Sequence, residues 1–300
     1  MQNIDISTLI LKSICPNNEI MYDVNGNPSM MVYIPKFKMS EVIDGGSDDV
    51  HPAFIVNGEE RDGFWVSKYM NTDIEGLGCY LPAVTPRNFI DIDVAKDMSA
   101  GKGEGWHLMT CMEWGAIALW SKKNGTMPRG NTDYGKDRHE HIHKAIPVPE
   151  DPNMDCEEGR VLTGTGPTTW SHDGTIGGVW DMVGNLSEWV GGIRMVYGEI
   201  QVIPNANCMD PEVSLAAGST AWKAISSAGA LVDPGTSGTL KYDNGAFSIV
   251  TTKTASSEAS KSGSYVTMGK EGSLTVPELA KALILYPDDT RSEEHTSELQ

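Results

Sequence analysis

Sixteen residues, Gly177–Gly192, constrain this chain more than any other stretch: GGVWDMVGNLSEWVGG holds five glycines, two tryptophans, one Asn and one Glu. A Gly-Asn step supplies positive φ at little steric cost, and each large indole needs a fitted pocket and a partner for its N–H. The stretch therefore predicts one tightly determined turn. Its signature residues are Trp180, Asp181, Gly184, Asn185, Glu188 and Trp189.

Three hundred residues with 39% hydrophobic and 21% charged side chains can bury a sizeable core and match a globular protein. Glycine is abundant at 32, and 8 Trp and 9 Tyr outnumber 5 Phe, which predicts a loop-rich fold anchored by bulky amphipathic rings. A net charge of −18 argues against nucleic acid as a partner and disfavours an anionic membrane surface, since both need clustered Lys and Arg. No stretch approaches the roughly 20 apolar residues of a membrane span, so no membrane insertion is expected. The N-terminus lacks the basic region of a secretory signal. Five widely spaced cysteines without a CxxC pair indicate neither a disulfide framework nor a zinc site.

Along the chain, Met30–Met39 alternates around Pro35 and suits two short strands or an edge strand, and Gly63–Met70 is a further strand candidate. Glu41–Asp62, rich in Asp and Gly, reads as an exposed loop. Asp91–Ala100 predicts a helix with a glycine stop, with Ile92, Ala95 and Ser99 on one side. Thr110-Cys-Met-Glu113 is a capping box that opens a helix of about three turns, closed by Lys122, Lys123 and Asn124-Gly125. Residues 127–168 read as long ordered loops, and strands are expected around Arg194–Ile203. A Ser, Thr, Gly and Ala-rich β excursion follows, with a hairpin at Asn244-Gly245. A second capping box, Thr275-Val-Pro-Glu278, predicts a helix through Leu285. The last ten residues, Arg291–Gln300, match a translated sequencing adapter, so the natural sequence is expected to break off near Thr290.

Several blocks stand in a familiar order: Met31-Val-Tyr-Ile-Pro35, Gly105–Thr110 with Glu113-Trp114, Met127–Gly135 and Thr169–Gly174, followed by the signature turn. Over residues 30–195 the chain resembles the sulfatase-modifying-factor family, the formylglycine-generating-enzyme-like variant of the C-type lectin fold. The resemblance implies an α+β, loop-rich domain with few short helices spanning 30–290, truncated at its C-terminus. It would be preceded by a segment 1–29 and carry a β-rich insertion at about 197–274. It also implies that Asn185 and Glu188 can hold calcium through the turn; the alternative is that Asn185 bonds local backbone and Glu188 orders the turn, with Trp180 and Trp189 in the core.

The family hosts several activities, so fold alone does not give function. Its formylglycine-generating members need a reactive cysteine pair in an Arg and Cys-rich C-terminal segment, and no cysteine follows Cys208. Its iron-dependent sulfoxide-synthase relatives carry a His-rich triad on an added helical domain, for which this chain has no counterpart. WSHDGT with the signature, EIQVIPN, AWKAI, GTLKYD and ALILYPDD look more like the target proteins of diversity-generating retroelements. That likeness implies a non-enzymatic scaffold of a phage tail or bacterial surface, binding a protein or glycan ligand through a variable region that lies beyond this chain. The alternative is a formylglycine-generating oxidoreductase cut before its catalytic cysteines. A fragment lacking its final strands is expected to expose apolar surface and a sheet edge, and to aggregate or be only marginally stable.

Other chemistry reads more weakly. His139, His141 and His143 alternate and would share one face of a strand, yet Glu140 and Lys144 point to a solvated loop. Asp151–Glu158 is acidic without EF-hand spacing. Gly263–Lys270 fails the phosphate-loop pattern by one residue and by Glu271, and Asn185-Leu-Ser187 and Asn124-Gly-Thr126 match a glycosylation sequon without secretory context. Cys111, inside a capped helix, is expected to be buried and inert.

Overall fold

The computed structural model describes residues 6–140, 142–149, 159–243, 248–252 and 268–286. In chain order its elements begin with α1 (Ile6–Ile14), β1 (Asn18–Tyr22), β2 (Pro28–Pro35), α2 (Met39–Val42), β3 (Ile55–Val56), β4 (Glu59–Glu60) and β5 (Gly63–Ser67). Then come β6 (Thr72–Ile74), β7 (Leu77–Cys79), α3 (Ile92–Ala100), α4 (Cys111–Asn124), β8 (Ile193–Val196) and β9 (Glu199–Val202). The order closes with β10 (Lys223–Ile225), β11 (Leu231–Val232), β12 (Lys241–Asp243), β13 (Ser248–Val250), β14 (Gly269–Lys270) and α5 (Glu278–Ala282). The protein is thus α+β, with few short helices, several small sheets and long loops. Two compact units divide it: Met1–Lys36, Asp62–Met109 and Trp120–Trp189 form one, and Phe37–Arg61, Thr110–Leu119 and Val190–Gln300 the other.

The first unit is organised on the antiparallel sheet β1-β2-β5. Met30–Met39 was expected to give two strands or an edge. Its apolar alternation instead makes β2 the central strand, and Pro35, which cannot donate to a ladder, ends it. Asn18–Tyr22, within the segment expected to precede the domain, supplies the strand on its other side. Tyr33 and Trp65 face each other across β2 and β5 with ring centroids 5.1 Å apart, an aromatic pair that fixes register. Two buried lysines sit beside this sheet. Lys102 Nζ lies 3.5 Å from Asp23 Oδ2, 3.1 Å from Ser29 Oγ and 4.4 Å from the Trp106 ring centroid, so its charge is compensated from three sides. Lys68 Nζ donates to Asn18 Oδ1 and, at 2.7 Å, to the Ile176 carbonyl. α3 starts where expected: Asp91 accepts from the Val94 N–H at 2.8 Å, and Ala95, Met98 and Ser99 are its buried residues, while Ile92 is exposed.

The second unit holds a seven-stranded sheet ordered β11-β10-β9-β12-β13-β14, with β8 also paired to β9. The excursion expected at about 197–274 is therefore one sheet that starts already at Ile193. Every residue of β9 is buried, Glu199 included. Glu199 is tolerable there because Gln201 Nε2 (2.8 Å), Thr239 Oγ1 (2.6 Å) and the Gly235 N–H (3.1 Å) all donate to its carboxylate. β12 and β13 pair antiparallel, while the Asn244-Gly245 step between them lies outside the described residues.

Two expectations in this unit are corrected. Glu41–Asp62 is not a plain exposed loop: His51, Ala53, Phe54 and Val56 are buried, and Phe37 meets Phe54 edge-on at 4.9 Å. Scattered polar residues hid a short apolar group too brief to show a period. The box at Thr275-Val-Pro-Glu278 does not form either. Pro277 stands at the N-cap without a side-chain cap, and Glu278 Oε1 instead accepts from the Ser47 N–H at 2.6 Å. By contrast, Thr110 and Glu113 close the expected reciprocal box at 2.8 and 3.1 Å, and Met112, Ala116 and Ile117 of α4 are fully buried.

Candidate functional site

The signature turn lies in the first unit up to Trp189, and its residues divide between holding backbone and facing water. The Trp180 N–H donates to the Lys68 carbonyl at 2.8 Å, tying the turn to the residue after β5. Trp180 and Trp170 then close a core with Tyr69, Ala145 and Val161. Among the described residues, neither buried indole N–H has a hydrogen-bond partner. Trp189, expected in the core, is instead 48% exposed and donates its N–H to the Ile90 carbonyl at 3.0 Å. An amphipathic ring can do this, with one edge bonded and one face wet.

Gly184 is required by close approach. At φ +71 its backbone lies against Asn131, and a Cβ would overlap the Asn131 carbonyl oxygen. The same contact runs the other way at Gly130, whose Cβ would overlap the Val183 carbonyl. The loop Met127–Gly135 and the signature are thus two backbones pressed together through glycines, joined by the Asn185 N–H to the Asn131 carbonyl at 3.0 Å.

Asn185, also at positive φ, uses its whole amide on the protein. Oδ1 accepts from the Val161 N–H at 2.9 Å and from Asn131 Nδ2 at 3.3 Å, and Nδ2 donates to the Val161 carbonyl at 3.1 Å. It therefore pairs with Val161 as a neighbouring strand would. Its partner is not local backbone but a residue 24 positions away. Of the two readings of Asn185 and Glu188, this arrangement fits the structural one better than calcium, because both acceptor positions of Oδ1 are filled by donors of the protein. His139 stands in a turn rather than on a strand, His141 and Asp151–Glu158 lie outside the described residues, and so do residues 263–267 of the glycine-flanked stretch before β14.

The two acids of the signature interact. Asp181, at positive φ, is buried; desolvation pushes it up to about 6, against the Gly164 N–H that donates to Oδ2 at 2.7 Å. Oδ1 has no partner. Surrounding protein and then the Asp181 charge push Glu188 up to about 8, although the residue keeps contact with water at the surface. Around the two acids, burial raises Tyr69 to about 12 and Tyr80 to about 12, so neither phenol is a ready base. His172 is lowered by burial, and its Nδ1 accepts from the Val179 N–H at 2.8 Å.

Thiol chemistry has little support. Cys15, Cys79, Cys111 and Cys208 are free. Burial raises Cys79, carries Cys111 well above its ordinary value and pushes Cys208 up to about 12. A thiolate is the reactive form, and these three sites disfavour it.

One functional candidate had no signal in the sequence. Arg160, preceded by Gly159 in a polar loop, is only 3% exposed, and among the described residues its Nε, Nη1 and Nη2 have no hydrogen-bond partner. Nothing in residue order announces a buried cation there. No known protein-family model matches this chain, and no curated protein matches its sequence.

Proposed function

We propose that this chain is a C-type-lectin-like binding scaffold of the diversity-generating-retroelement type, from a phage tail or bacterial surface, rather than an enzyme. The observation that carries this reading is how the signature turn is used. Gly184, Asn185 and Trp180 are consumed in holding backbone to backbone, which is the work of a frame, while Trp189 faces outward. A rigid frame separates geometry from recognition, so side chains on a displayed face can change without cost to the fold. The ligand in this reading is a protein or glycan on a cell surface.

The formylglycine-generating alternative needs a reactive cysteine pair in an Arg and Cys-rich C-terminal segment. Sequencing the source locus beyond codon 290 tests the choice. A variable segment beside a template repeat and a reverse-transcriptase gene supports the scaffold. An Arg and Cys-rich continuation containing a cysteine pair overturns it.

A further inference from the structure

Arg160 is held by its backbone and left open at its head. Asn131 Nδ2 donates to the Gly159 carbonyl, and the Val148 N–H donates to the Arg160 carbonyl at 3.0 Å. Asn185 takes both the N–H and the carbonyl of Val161. The Gly159 and Arg160 carbonyls and the Val161 N–H are therefore all held. Val161 turns its side chain into the core with Trp170 and Trp180. The guanidinium, by contrast, is 3% exposed, and among the described residues Nε, Nη1 and Nη2 meet no acceptor.

A guanidinium cannot escape this cost by losing its proton, and an uncompensated buried charge is among the most expensive features a fold can carry. Lys102 and Lys68, the other deeply buried cations of this unit, each have acceptors within hydrogen-bond reach. Arg160 differs in having its support without its counter-charge. Its planar fork matches an oxyanion that offers two parallel acceptor oxygens.

We propose that Arg160 is the cation of a binding site for a small carboxylate, with Asn131, Val148 and Asn185 holding it in place. A carboxylate fits better than a phosphate, because one guanidinium balances one charge and a dianion would add to a molecule already at −18. The site is a feature of this frame whether the frame displays a variable face or not.

The test is thermal unfolding of the full chain at fixed pH and ionic strength, with sodium acetate replacing sodium chloride. Ligand-observed NMR of acetate gives binding directly. The wild type is expected to show a saturable rise in Tm and a saturable NMR signal. R160M should lose both while being at least as stable as the wild type in chloride, because it removes the unpaired charge. R160K, which keeps the charge and loses the fork, should bind acetate at least tenfold more weakly and covers the case in which R160M does not fold.

An equal response in R160M and wild type overturns the site. So does a wild-type response to inorganic phosphate that is absent with acetate. A variant with Glu150, Asp151, Asp155, Glu157 and Glu158 changed to their amides should keep the acetate response. If it is instead destabilised in chloride and the wild type ignores acetate, Arg160 is served by the chain's own acids and the proposal fails.

Discussion

Gly184 and Asn185 are adjacent, both at positive φ, and they hold the same loop by different means. Gly184 contributes an absent Cβ where the Asn131 carbonyl passes, and Asn185 contributes an amide that stands in for a strand. N185A is therefore expected to cost about 3 kcal/mol, since it leaves the Val161 N–H and carbonyl unpaired in a buried setting and puts Ala at positive φ. Denaturant unfolding measures this, and a cost below about 1 kcal/mol would show that water replaces the clamp. Adding up to 10 mM calcium chloride should shift the wild-type Tm no more than the same concentration of magnesium chloride. The residue types and their density were legible in sequence. What Asn185 grips was not, because its partner is set by which loop the fold brings alongside.

Helix starts show how far local chemistry carries. The box at Thr110 and Glu113 formed because both partners lie within one turn. At Thr275 and Glu278 the same spelling failed, because the Ser47 N–H arrives 231 residues away in sequence and takes the carboxylate. E278A is accordingly expected to destabilise by about 1–2 kcal/mol, whereas T275A should change stability by less than about 0.5 kcal/mol. Urea midpoints of the two variants decide it, and a larger loss in T275A would restore the cap. Strands read from alternation were sound in type at Gly63–Ser67 and Ile193–Val202, but β2's central place and β1's existence depended on pairing partners. Short apolar groups such as Ala53, Phe54 and Val56 carried no usable period.

Across the whole molecule, each unit carries a buried group that titrates in the acid range, and the two act in opposite directions. His51 of the second unit is fully buried and held down to about 4 by desolvation, against the Ala282 carbonyl. Its contribution to stability is complete above the unfolded value of 6.5 and is lost as pH falls from there toward 4, by up to about 3 kcal/mol. Asp181 of the first unit is raised from 3.8 to about 6, so the folded state binds its proton more tightly. It destabilises as pH rises across that interval, by up to about 3 kcal/mol. Over pH 4–6 these two contributions oppose each other. Relative to the wild type, D181N is expected to gain stability as pH rises through this range, and H51Q to lose it. Calorimetry of the three proteins from pH 4 to 7 checks this, and parallel curves for both variants would refute the assignment.

The sequence by itself determined the α+β character, the capped helices α3 and α4, the main strands and the rigid turn at 177–192. Each rests on interactions within a few residues: periodicity, caps, and glycines where φ must be positive. Only the tertiary structure decided that β2 is central, that Trp189 faces water, that Asn185 is spent on Val161, and that Arg160 is buried with no acceptor among the described residues. Those outcomes depend on which distant groups meet. A buried polar atom is stabilised or stranded by partners that residue order does not name.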